Sequence, residues 1–345
     1  MSTVRSDDAI HGRAAGPPPS KRALALVLIC TVSFMNVLDI TVVSVALSDI
    51  GQSFAASQAQ LQWVVNAYTL PLGSLLMSAA TLSGRLGRLR LFRWGLVLFT
   101  LGSLLCALAP SILALNASRA LQAVGGAIFL GVGVPMISDR YPAGRERARA
   151  TGIYGLISGV AIAVGPLAGG GLVLAAGWRS IFWINVPIGV VCVALGLRFL
   201  GESPRRPRSM DAPGILLGAG FVFPFTWALV EGPQRGWGDR LTIGCFGVSA
   251  ASLILFLLHE GGAREPYMPL RLFRDRRFAL VNAATALFSA GVFGTVFFIS
   301  QYLQIGLGYG TLESGVRATP WTMLPMAVAP VAGVLSRRFG TRAVL

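Results

Sequence analysis

The stretch "GVAIAVGPLAGGG", Gly159 to Gly171, lies inside a long apolar run yet carries a Gly-Pro pair and further glycines. In a water-soluble helix this composition would be destabilising, because glycine costs backbone entropy and proline removes a hydrogen bond. Inside a bilayer the balance changes. Glycine there lets neighbouring helices approach closely, and the carbonyl freed by proline is satisfied locally. Gly159, Gly165, Pro166, Gly169 and Gly170 therefore describe a bent helix with one face poor in side chains. Two uses fit such a face: tight static packing, or a surface on which a neighbouring helix slides.

The rest of the chain supports the membrane reading. Of 345 residues, 54% are hydrophobic and only 12% are charged, outside the range of soluble domains. A helix needs about 20 apolar residues to cross a bilayer. Ten runs approach or reach that length: 23–45, 61–82, 94–109, 112–136, 152–174, 181–200, 213–229, 241–258, 278–299 and 316–335. The third is the shortest. The expectation is an all-α, polytopic membrane protein with about ten transmembrane helices.

A formal charge of +15 raises the question of nucleic acid, and the placement of the charge answers it. Twenty-four of the 29 Lys and Arg lie in the N-terminal tail or in even-numbered breaks between runs, such as Arg85, Arg88, Arg90 and Arg93. Four lie in odd-numbered breaks and one, Arg119, lies inside a run. This alternation follows the positive-inside rule, which puts the N-terminus in the cytoplasm and the protein in the cytoplasmic membrane. The partners expected are the lipid bilayer and small substrates, not nucleic acid, and the protein is expected to be a monomer. The four cysteines fall in four different runs, spaced neither for zinc nor for a disulfide framework, so no metal or other cofactor is expected. No phosphate-binding loop or nucleophile constellation marks an enzyme.

Four parts follow from composition. Residues 1–22 read as a disordered cytoplasmic tail and 23–200 as a six-helix bundle. Residues 201–278 read as basic, Pro-rich linkers enclosing two inserted helices, and 279–345 as an incomplete second bundle of two helices. An internal repeat supports the last point: "GRLGRLR", Gly84 to Arg90, and "GVLSRRFGTR", Gly333 to Arg342, both close a run with glycines and a basic cluster. If the second half copies the first, four more spans are expected beyond Leu345, a truncation of a fourteen-helix architecture.

Charged side chains within spans are costly and hence candidates for function. Asp39 and Arg119 are the two clear cases. Asn36 shares the helical face of Asp39, while Asn116, Arg119 and Gln122 step by three along another helix, with Gly126 on the same side. The first span runs outward and the fourth inward, which puts Asp39 and Arg119 both roughly 10 Å below the outer boundary at about 1.5 Å per residue. Whether a sheltered carboxylate holds a proton depends on whether water or a guanidinium stands beside it. Two roles fit: proton uptake at Asp39 with release near Arg119, or a fixed ion pair that only orders packing. Asn36, Tyr68 and Gln301 are candidate cavity residues by position.

These residues also carry a family resemblance. "GVAIAVGPLAGG" resembles the fifth-helix antiporter motif of major facilitator superfamily exporters, through Gly165, Pro166, Gly169 and Gly170. "RALQAVGGA", with Arg119, Gln122, Gly125 and Gly126, is similar to their fourth-helix motif. "LDITVVSVAL", "LQWVVNAYTL" and "WRSIFWINVPIG" resemble the fourteen-helix drug:proton antiporters, the EmrB/QacA type. The resemblance implies an exporter of hydrophobic or cationic drugs and antibiotics that exchanges them for protons by alternating access, with Asp39 and Arg119 as coupling residues. It also implies that Gly84, Arg85, Gly87 and Arg88 form a cytoplasmic gating loop. The usual pattern there, Gly-x-Leu-x-Asp-Arg-x-Gly, is four residues longer and contains an aspartate that this chain lacks, whereas Gly333 and Gly340 keep the full spacing. Two alternatives remain open: export of one endogenous metabolite, and a truncated membrane protein that does not transport.

Overall fold

A computed structural model of the protein describes residues 19–199, 211–262, 268, 270–310, 312–320, 323–324 and 328. Most of the N-terminal tail, residues 200–210 of the linker and the repeat at Gly333 to Arg342 lie outside the described residues. The first nine apolar runs are helical, and no strand occurs among the described residues. In chain order these are α1 (Pro19–Phe54), α2 (Gln58–Leu86), α3 (Arg88–Ala107), α4 (Ile112–Arg140), α5 (Arg145–Ala176), α6 (Ser180–Trp183), α7 (Asn185–Phe199), α8 (Ala212–Arg235), α9 (Arg240–Gly262) and α10 (Arg276–Gln301). Of the tenth run, the part up to residue 320 belongs to a helical segment, 312–320.

Seven helical segments among the described residues are long and apolar enough to cross a membrane, against the ten runs read from the sequence. The sixth run supplies one of them, divided at Ile184 into α6 and α7. The second run, α2, is not among the seven; Asn66, Tyr68, Thr69, Ser74 and Ser78 make it the more polar kind of span.

Local signals fix the helix ends. The Ser57 hydroxyl accepts from the Gln60 amide at 3.3 Å while the Gln60 side chain accepts from the Ser57 amide at 2.9 Å, a reciprocal cap that starts α2. Ser111 caps α4, and Asp211 caps α8 through the Gly214 amide at 3.0 Å. The third span begins six residues before its apolar run, at Arg88. Its basic first turns are accommodated because Arg93 reaches sideways to donate to the Gly196 carbonyl near the end of α7, at 2.8 Å.

Small residues set the packing. α4 lies between α2 and α3, and α5 lies along α1. A Cβ on Gly131 of α4 would stand 2.5 Å from the Leu76 carbonyl of α2, and one on Gly125 would overlap the backbone of Phe99 in α3. Apolar burial gives helices little reason to associate within lipid, so such backbone-to-backbone contact supplies the attraction instead. α8 and α9 pair with each other and meet the bundle through α2, where the Trp63 indole donates to Glu231 at 3.1 Å.

The bundle interior has two apolar layers. One gathers Leu28, Met35, Phe92, Phe99 and Phe129; the other gathers Val43, Leu47, Leu115, Trp178 and Phe182. Between them lies a polar layer.

Candidate functional site

The polar layer is built by five helices at one depth. α1 contributes Asn36 and Asp39, α2 Tyr68, α3 Ser103, α4 Arg119 and Gln122, and α7 Asn185. All seven are buried, with Arg119 only 1% and Asp39 3% exposed. The antiparallel course of α1 and α4 brings Asp39 and Arg119 level, and their side chains form a salt bridge through Asp39 Oδ2 and Arg119 Nη1.

Further partners hold both members of that pair. Asp39 Oδ1 accepts from Gln122 Nε2 at 3.0 Å and from Asn185 Nδ2 at 3.2 Å. Arg119 Nη1 also donates to Gln122 Oε1 at 2.8 Å, and its Nε donates to the Val64 carbonyl of α2 at 3.2 Å. The guanidinium lies over the Tyr68 ring, 4.1 Å from its centroid, a contact strengthened by the absence of competing water. Ser103 closes the ring: its hydroxyl accepts from Asn185 at 3.1 Å and Gln122 at 3.3 Å and donates to the Phe182 carbonyl at 3.0 Å. A charge pair removed from water is tolerable only when its remaining lone pairs and protons are satisfied in this way.

Two acceptors in this region are left over. Asn36 donates through Nδ2 to the Tyr68 hydroxyl, but its Oδ1 is buried with no hydrogen-bond partner among the described residues. Asn116 Oδ1, one turn before Arg119, is in the same condition. Buried acceptors without donors are uncommon.

The glycine motifs surround this layer. Gly126 faces Asn36 and Tyr68: a Cβ there would lie 2.6 Å from Asn36 Nδ2. Gly102 allows α3 to approach the backbone of Gln122, whose Cα would lie 2.6 Å from a Cβ at that position. On α5, Gly165 lies against Thr41 and Gly169 against Val42, one turn along α1 from Asp39, and Gly170 is buried. On the same helix, the Pro166 carbonyl is met by Gly315 of the segment 312–320.

Of the candidate cavity residues, Asn36 and Tyr68 both belong to the polar layer and have no exposed surface. Gln301 is not brought to the same place; its side-chain oxygen accepts from Gln58 at 2.7 Å, at the first residue of α2. The four residues read as a gating loop do not form a loop. Gly84 and Arg85 belong to the last turn of α2, Arg88 opens α3, and Gly87 alone joins the two helices. With four residues fewer than the usual pattern, the chain must reverse within one residue, and Gly87 does so at φ 98° and ψ 127°, which side chains disfavour. Arg88 instead holds the end of α4, pairing with Asp139 at 2.5 Å and donating to the Pro135 carbonyl at 2.7 Å.

Sequence reasoning passed over Asn185 and Ser103. Asn185 had a signal, an amide in the apolar stretch "FWINVPIG". Ser103 had none, because serine occurs throughout membrane spans as a self-satisfied hydroxyl.

Comparison with known proteins places this geometry in context. The pattern of the Major Facilitator Superfamily matches residues 29–345. The multidrug resistance protein Stp of Mycobacterium tuberculosis is 39% identical over 310 residues, 90% of this chain and 58% of that protein. The methylenomycin A resistance protein of Streptomyces coelicolor is 33% identical over 344 residues, 99% of this chain and 72% of that protein. The chain thus spans somewhat over half the length of the first of these relatives. Among solved structures, the peptide transporter POT in complex with sulfate superimposes with a TM-score of 0.64 at 16% identity, covering 92% of this chain and 69% of that one, a likeness of fold.

Proposed function

The chain belongs to the Major Facilitator Superfamily, and we propose that it works there as a proton-coupled exporter of the fourteen-helix drug:proton antiporter type. Its cargo is hydrophobic or cationic compounds, drugs and antibiotics among them, moved across the cytoplasmic membrane by alternating access, with the N-terminus in the cytoplasm. Relatives named for resistance to several drugs and to methylenomycin A support the cargo class.

One observation carries the coupling: the buried ion pair of Asp39 and Arg119, held in place by Gln122, Asn185 and the Val64 carbonyl. In this arrangement three donors, from Arg119, Gln122 and Asn185, face the Asp39 side chain. When the chamber opens to water, a proton on Asp39 cancels its attraction for Arg119. The guanidinium then keeps Gln122, the Val64 carbonyl and the Tyr68 ring as neighbours, so it is not stranded. Closure toward the other side restores the pair and expels the proton. The Gly165 and Gly169 face of α5 lets α1 shift during this exchange without side chains interlocking. Asn36 Oδ1 and Asn116 Oδ1 are suited to accept from an N–H donor of the cargo.

The test is Asp39→Asn in the expressed protein, measured as dye export from energised inverted vesicles with insertion checked by immunoblot. Loss of proton-driven export with normal insertion is expected. Export at the unsubstituted rate would remove Asp39 from the mechanism.

A further inference from the structure

A cavity of about 660 Å³ lies between α2, α8 and α9, outside the polar layer. Its size falls within the roughly 300–1,000 Å³ of ligand sites. Leu70 of α2, Ile215, Gly218 and Val222 of α8, and Leu253 and Phe256 of α9 give it an almost wholly apolar wall. Thr69, one of the few polar groups there, turns its hydroxyl back to the Val65 carbonyl at 3.2 Å. The residues on α8 and α9 lie in the halves of those helices that end at Asp211 and Gly262, the end where the chain's arginines gather.

A short 3₁₀ turn, Leu270–Arg274, crosses that end. Three residues per turn place i and i+3 on one line. Leu270 and Phe273 accordingly share a face, and both line the cavity; Arg271 and Arg274 share the neighbouring face and are exposed. Arg276 and Arg277 follow at the start of α10, also exposed. One exposed carboxylate lies among these four arginines, Asp275, which caps α10 by accepting from the Arg277 amide at 2.9 Å, and it leaves the cluster with a net positive charge. Asp211 is drawn inward to His259 at 2.6 Å, and Glu260 is buried and accepts from the Met268 amide at 3.0 Å.

We propose that this cavity binds an anionic phospholipid, one acyl chain lying between α2, α8 and α9 and the phosphate resting on Arg271 and Arg274. Clusters of four or more arginines beside a span attract anionic headgroups, each cation adding to the affinity, and an apolar slot next to such a cluster suits the attached chain. The two requirements of one molecule, an oily body and an anionic end, meet at adjacent stripes of a single turn. An uncharged lipid, or a drug without an anion, would satisfy only the first.

The test uses phosphatidylglycerol with a diazirine near the end of one acyl chain, added to the purified protein in phosphatidylcholine vesicles, irradiated and mapped by peptide mass spectrometry. Label is expected in Ile215–Val222 or Leu253–Leu257, displaced about tenfold better by unlabelled phosphatidylglycerol than by phosphatidylcholine. Arg271→Ala with Arg274→Ala should abolish that preference while the label stays in place. Gly218→Leu, whose side chain enters the cavity beside Phe256, should remove the label there. Label confined to lipid-facing positions such as Leu287 and Phe288, or equal displacement by the two lipids, would overturn the proposal. Should Gly218→Leu fail to fold, the labelled positions and displacement ratio of the unsubstituted protein decide the question.

Discussion

Asn185 and Gln122 donate to the same oxygen of Asp39, at 3.2 and 3.0 Å, from helices that approach it from different sides. The second carboxylate oxygen belongs to Arg119. The pair is therefore clamped in orientation as well as in charge, and four substitutions test what the clamp and its surroundings contribute.

Arg119→Leu leaves Asp39 buried without its counter-charge. Removing one partner of a buried pair costs about 3–5 kcal/mol, mostly the penalty of the stranded ion. A large fall in melting temperature of the purified protein is expected. Arg119→Leu combined with Asp39→Asn should recover much of that loss, and a double variant no more stable than Arg119→Leu would show that the pair is not the source of the cost.

Asn185→Ala removes a donor from Asp39 and from Ser103 at once. The bond lost to the charged Asp39 is worth about 1.5–3 kcal/mol and that to the neutral Ser103 about 0.5–1.5 kcal/mol, so the thermal midpoint should drop and export should slow. A drop in stability with the export rate unchanged would reduce Asn185 to a packing residue.

Gly165→Ala forces a methyl group into Thr41 of α1. Overpacking of this kind costs about 1–3 kcal/mol and should slow export, because the two helices are pushed apart at the glycine face. Thr41→Gly, which clears the same space, should restore function in the double variant; failure to restore it would argue against direct contact.

Gly87→Ala tests the one-residue joint. The backbone there has positive φ, and imposing it on alanine costs about 1–3 kcal/mol. The effect should appear as lowered thermal stability. Asp139→Asn, which weakens the hold of Arg88 on α4 at a partly exposed site, should cost less, about 1 kcal/mol or below.

Much of this architecture was legible along the chain because insertion of a helix into lipid is decided segment by segment. The length of each apolar run, the sorting of arginines between its two ends and the cost of a charge within it are local sums, and they mark the nine helical runs from α1 to α10, Asp39 and Arg119 without reference to neighbours. Gly165 and Gly169 were equally readable as a bare face, since the missing side chains are written in the sequence itself. What covers that face was not.

The partners were decided by the tertiary structure alone. Asn185 reaches Asp39, and Ser103 reaches Asn185 and Gln122, only because α7 meets α1 and α3 meets α4 and α7 at a particular rotation and depth, and a shift of one residue in any of these helices would turn the side chain away by about 100°. The reversal at Gly87 and the pairing of Arg88 with Asp139 depend likewise on where the end of α4 lies. So does the cavity, whose walls come from α2 and, more than a hundred residues later in the chain, from α8 and α9. Hydrogen bonds and voids are properties of the angles between rods, and no local sum along one rod contains them.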